Sequence, residues 1–152
     1  MSADRAVWIE RRQRPATLNE LLAMTRHPRR KHILDWRRWA QDEAVDQCLA
    51  PISGPVTVTA QLYRPDARSM PDAGSAILAV KAMLDGLVDA HVLPGDGPAV
   101  VRSTTCEAPV VAGYDGLRLI VRPIEEHAIK DQPAPSTGPI PLLPQPSTGE
   151  CT

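Results

Sequence analysis

Two aspartates and a lysine in the middle of this chain have the types and spacing for phosphate chemistry. Asp72 stands in Pro71-Asp72-Ala73-Gly74-Ser75, Asp96 in Leu93-Pro94-Gly95-Asp96-Gly97, and Lys81 lies between them. Carboxylates that converge on one point hold a hard cation such as Mg2+ or Mn2+ and set a water against a phosphodiester. A lysine alongside offsets the negative charge of a phosphoryl group in transfer. Asp72 and Asp96 converge only if the run between them returns the chain to the same edge of the fold. A plainer reading fits the same residues. An aspartate at a helix start caps free backbone N–H groups, and one among Pro and Gly belongs to a turn. Lys81 and Asp85 form an i,i+4 pair in the weaker order, and Asp85 and Asp89 repel unless a cation or a base neutralises one. His91 follows the helix and has no nucleophile partner in the sequence.

The elements that must position these residues follow from periodicity. Residues 55–63 alternate as a strand, after a turn at Ser53-Gly54. Residues 64–71 form a polar loop, and Asp72 is expected to cap the next helix. Ile77, Val80, Leu84, Leu87 and Val88 predict that helix, with Lys81, Asp85 and Asp89 on another side. Turn residues 93–98 end it. Upstream, residues 6–10 have strand character, while Thr17-Leu18-Asn19 reads as a loop or short turn. Ile33, Trp36, Ala40, Ala44 and Cys48 make one apolar stripe and predict a long helix, entered at Pro28 and ending near Leu49, before Pro51. Residues 100–106 and 117–121 are further strands, with a turn at 113–116. The sum is a single small α/β domain over about residues 5–125, with a mixed sheet and two main helices. Residues 131–152 hold six prolines and contain Pro-Ser-Thr-Gly twice. Such a segment continues neither a sheet nor a helix and is expected to be a disordered tail. Residues 139–144 also have the form of a docking peptide for a proline-binding module.

Composition bounds the function. A chain of 152 residues without phenylalanine builds its core from aliphatic side chains, methionine and three tryptophans. No run is long and apolar enough for a membrane span, and no hydrophobic segment follows the first residues as a secretory signal would. Cys48, Cys106 and Cys151 are sparse and odd in number, which fits a reducing cytosol rather than a disulfide framework. A cytoplasmic, non-membrane protein is expected. No CxxC, GxxxxGK[ST], GxGxxG or GxSxG pattern occurs, so structural zinc, nucleotide-cofactor and α/β-hydrolase chemistry have no anchor. The net charge of -1 hides an asymmetry: residues 1–40 carry ten Lys/Arg against four Asp/Glu, and residues 41–152 carry seven against fourteen. Arg26, Arg29, Arg30, Lys31, Arg37 and Arg38 are the densest basic cluster. They have the chemistry for phosphate contacts, which position a duplex without reading its sequence. Scattered, solvated surface charge is the alternative.

Three pieces of the chain, spanning about residues 6–123, resemble the RusA-like Holliday junction resolvases of phages and prophages. The first is Thr17-Leu18-Asn19 with the basic helix through Lys31, Trp36-Arg37 and Ala40. The second is Pro71-Asp72-Ala73-Gly74-Ser75, where the family has an Asp-x-Asp-Asn motif. The third is the run from Val80-Lys81 through Asp85-Gly86-Leu87-Val88-Asp89-Ala90-His91 to Leu93-Pro94-Gly95-Asp96. Similar family members usually have Gly at the position of His91 and Asp at that of Gly95. The resemblance implies a homodimeric Mg2+- or Mn2+-dependent endodeoxyribonuclease acting on branched DNA. It implies that Asp72 and Asp96 bind the metal and that Lys81 assists catalysis. It also exposes a loss, since the second motif aspartate is Gly74 and the motif asparagine is Ser75. The departures at Gly74, Ser75 and Gly95 point to weakened cleavage, or to a catalytically inactive DNA- or protein-binding derivative of the same fold. An adaptor working through the proline-rich tail is a third reading, from a different class.

Overall fold

A computed structural model describes residues 6–124. The expected tail at residues 131–152, with its docking peptide, lies outside the described residues. The elements, in chain order, are β1 (Val7–Arg11), α1 (Leu18–Ala23), α2 (Arg26–Asp46), β2 (Val56–Arg64), α3 (Ile77–Asp89), β3 (Val101–Cys106), β4 (Val110–Val111) and β5 (Gly116–Pro123). They form a small α/β domain around one mixed sheet of order β1-β5-β2-β3, with β4 pairing β2 beyond the end of β3. β5 is antiparallel to both β1 and β2. β3 and β4 run parallel to β2. The β2–α3–β3 segment is therefore a crossover unit, which needs a connection the length of a helix.

Alternation along the strands decides which face is covered. Val56, Val58, Ala60 and Leu62 of β2 are buried, as are Leu117, Leu119 and Val121 of β5 and Ile9 of β1. These residues share one face by register, and α2 and α3 supply Trp36, Ala40, Ala44, Val80, Met83 and Leu87 to the same core. Burial of apolar area on this single face is the main stabilising contribution. Gly86 lets α3 approach α2 closely. A Cβ there would lie 2.8 Å from Ala40 Cβ and nearer still to the Arg37 carbonyl oxygen.

Four local expectations change. Thr17-Leu18-Asn19 begins a helix rather than a loop. The Thr17 hydroxyl accepts the Glu20 N–H at 3.3 Å, and Glu20 returns the bond by accepting the Thr17 N–H at 2.7 Å. This reciprocal box satisfies two otherwise free donors and starts α1. Asp72 does not cap α3, whose N-cap is Ala76. A turn intervenes, in which the Ser75 N–H donates to the Asp72 carbonyl at 3.0 Å. Cys48 lies beyond α2 at φ 51°, exposed, instead of completing the apolar stripe. β4, only two residues long, carries no periodicity from which to read it.

Candidate active site and nucleic-acid interface

α3 places Lys81 on its exposed side, over the start of the parallel edge strand β3. The chain after α3 brings Asp96 back to it. Lys81 Nζ donates to Asp96 Oδ2 at 2.7 Å and lies 3.5 Å from Asp85 Oδ1, one helical turn on. A shallow cleft of about 190 Å3 opens here, lined by Ile77, Val80, Leu84, Val101 and Thr104 beside the two charged groups. The hydrogen bond from Lys81 holds the Asp96 carboxyl below the usual carboxylate range. The same bond raises Lys81, so its ammonium is a fixed charge at neutral pH.

The network continues to α2. Arg37 grips Asp89 with two hydrogen bonds, at 2.5 and 2.8 Å, and its guanidinium lies 3.9 Å from Asp85. The Arg37 bond lowers the Asp89 carboxyl. Asp85 thus stands between two cations, Lys81 and Arg37, which explains how α3 carries two like charges one turn apart.

Asp72 is exposed and takes no part in the ion pairs that engage Asp85, Asp89 and Asp96. Its turn is anchored by the Leu18 N–H, which donates to the Ser75 carbonyl at 2.7 Å and ties the motif loop to the start of α1. Ser75 itself has a buried hydroxyl without a hydrogen-bond partner. Gly74 has open space where a Cβ would stand, and so does Gly95; neither has a left-handed backbone. Asp66 accepts the Arg68 N–H at 2.9 Å and serves its own turn.

Asp85 and Asp96 are oxygen donors of the kind a hard cation takes, but the Lys81 ammonium occupies the position between them. Among the described residues, no three His, Cys, Asp or Glu side chains are grouped as metal ligands. Mg2+ is commonly held by one or two carboxylates together with waters and substrate phosphates, and here a cation would have to displace Lys81 from Asp96.

The basic cluster divides on α2. Arg26, Arg30, Lys31 and Arg38 are exposed. Arg30, Lys31 and Arg38 border a surface groove with His27 and Leu34. Arg29 is turned inward, donating to the Leu22 and Met24 carbonyls at 3.3 and 2.8 Å, where it caps the end of α1. Arg37 is spent on Asp89. His32 also faces inward, with Nε2 accepting the Ala16 N–H at 3.3 Å, and burial lowers its pKa.

His91 has a backbone role. At φ 59° it is the left-handed residue after α3. Its N–H donates to the Val88 carbonyl and the next N–H, of Val92, to the Leu87 carbonyl, both at 3.0 Å. This is the Schellman arrangement, which favours glycine at that position. Cys48 ends α2 in the same way, with bonds from Cys48 to Val45 and from Leu49 to Ala44.

Among the described residues, no helix is long and apolar enough to cross a membrane. No protein-family model matches this chain, and no curated protein matches it at significance.

Proposed function

We propose that this domain is a RusA-like endodeoxyribonuclease that acts on branched DNA by metal-dependent phosphodiester hydrolysis, as a homodimer. The observation that carries this reading is the Lys81–Asp96 contact of 2.7 Å. Two residues that the resemblance names separately meet beside an open cleft. Asp96, with Asp85 beside it on Lys81, would hold the divalent cation together with waters and substrate phosphates, whereas Asp72, the other ligand that the resemblance implies, does not join them in a group of three carboxylates. A cation held there would polarise the phosphodiester and acidify a water, whose oxygen would attack phosphorus as one ester oxygen leaves as an alcohol. Lys81, its ammonium charged, would offset the negative charge of the phosphoryl group in transfer. Arg37 keeps Asp89 neutralised and the α3 side chains in place. Arg26, Arg30, Lys31 and Arg38 hold the duplex arms through phosphate contacts.

The test is cleavage of a labelled four-way junction with Mg2+ or Mn2+, beside binding with metal withheld. Cleavage by the parent that falls about a hundredfold or more in Asp96→Asn supports the reading, a loss typical of removing one electrostatic contributor. Cleavage indifferent to Asp96→Asn, or no junction binding at all, overturns it. A second reading, a non-catalytic DNA- or protein-binding derivative, is favoured by the departures at Gly74, Ser75 and Gly95. Tight junction binding without cleavage under either metal selects it.

A further inference from the structure

The sheet has a second face that the helices do not touch. By register it carries Trp8 and Glu10 of β1, Tyr63 of β2, and Arg118, Ile120 and Arg122 of β5. These residues alternate with the buried ones, so they point away from the core. Trp8 is 51% exposed, in contrast to Ile9 beside it at 1%. No described element packs over it.

Its chemistry is specific. Arg118 lies between two rings, 5.0 Å from Trp8 and 5.3 Å from Tyr63. Tyr63 and Tyr114 are 5.5 Å apart, and Arg12 sits 4.5 Å over Tyr114. Arg122 is exposed, with one bond to Thr59 Oγ1. Among the described residues the face presents three guanidinium groups, Arg12, Arg118 and Arg122, and the Glu10 carboxylate, which pairs with Arg118 at 2.6 Å and Arg12 at 3.5 Å. Burial pushes the Glu10 carboxyl up, but hydrogen bonds from Arg118 and Tyr114 outweigh it and hold it lowered and charged. The excess of arginine charge would solvate a bare sheet; rings set beside guanidiniums do something further. An exposed ring stacks an unpaired base, and arginines beside it neutralise the phosphates.

We infer that this outer sheet face binds single-stranded nucleic acid through base stacking on Trp8 and phosphate contacts from Arg122 and Arg12. It lies on the opposite side of the sheet from α2 and α3. It is therefore a second surface, separate from the cleft at Lys81 and from the exposed arginines of α2. The inference rests on the proposed function only for the class of ligand. It gives that reading a use for unpaired strands at a branch point.

The test uses the full chain and labelled oligo(dT) and oligo(rU), followed by fluorescence anisotropy, with junction cleavage measured in parallel. Trp8→Ala and Arg122→Ala are the variants, since both side chains are exposed. Each is expected to weaken oligonucleotide binding about tenfold, the effect of removing one stacking platform or one phosphate partner. Trp8→Phe, which keeps a ring, should restore most of it. The oligonucleotide bound more tightly identifies the sugar. Equal binding by parent and Trp8→Ala overturns the inference. So does a parent that binds neither strand, or a dimer seen in sedimentation that Trp8→Ala dissociates, which would make the face a contact between copies. A failed nuclease reading appears differently: cleavage is absent or indifferent to Asp96→Asn while Trp8-dependent strand binding persists.

Discussion

Gly74 and His91 hold opposite relations to the backbone, and each yields a test. A glycine is retained where a side chain would clash or where φ is positive. Gly74 meets neither condition, since a Cβ there has nothing within 4 Å and its φ is not left-handed. Gly74→Asp is therefore expected to fold like the parent, within about 0.5 kcal/mol in a urea titration. Under the proposed function it raises Mg2+-dependent junction cleavage about tenfold or more, since a further carboxylate strengthens the cation site. A folded variant with no gain removes this position from the site. His91 is the converse, a side chain where glycine belongs. A left-handed L-residue costs roughly 1–2 kcal/mol, offset in part by the greater freedom of glycine in the unfolded chain. His91→Gly is expected to raise the stability by about 0.5–1 kcal/mol without changing the urea m-value. A loss of stability would contradict the role of His91 as the residue that ends α3.

At the scale of elements, α1 depends on its box. Arg14 bonds the Glu20 carboxylate at 2.7 and 3.1 Å, and the Thr17 N–H bonds it as well. Together they lower its pKa from 4.5 to about 2. A lowered acid stabilises the fold fully above its unfolded value and loses that contribution as pH falls through the folded one. Glu20→Gln is thus expected to be less stable than the parent at neutral pH. Because the Glu20 side chain is 42% exposed, the deficit is only about 0.5 kcal/mol after solvent screening. The gap should close as the pH drops from 4.5 toward 2, as read from paired thermal melts. A gap that widens on acidification would rule out the charged box.

Among the described residues, exposed basic side chains gather on α2. The chain is net -1, so binding a polyanion requires local excess rather than overall attraction. The exposed set on α2 supplies one such excess. Replacing Arg30, Lys31 and Arg38 together with alanine is expected to weaken four-way-junction binding. It should also lower the slope of log affinity against log salt by about one unit for each phosphate no longer neutralised. An unchanged slope would exclude α2 as the interface. Arg29→Ala serves as the contrast: its guanidinium caps α1, so its cost falls on folding rather than on the salt slope.

The apolar repeats decided the elements. Ile77, Val80, Leu84 and Leu87 mark α3, the alternation of residues 55–63 marks β2, and Ile33, Trp36, Ala40 and Ala44 mark α2, because burial on one face imposes the period of the backbone on the sequence. The α1 box is also present in the sequence as Thr17 and Glu20, three apart, a short local signal that the nearby Pro15 obscures. The carboxylates were legible as types and not as partners. Asp85, Asp89 and Asp96 look alike in sequence, but the distance from Arg37 to Asp89, and from Lys81 to Asp96, is fixed only when α2 crosses α3 at Gly86 and the chain folds back after His91. The same holds for the arginines. Arg29 and Arg30 are neighbours in one basic run, yet helical rotation turns one onto the α1 carbonyls and leaves the other in solvent. Local pattern sets what a segment becomes, because its period is a property of the chain alone. Which charges meet is a sum of long-range packing choices, and those exist only in the folded structure.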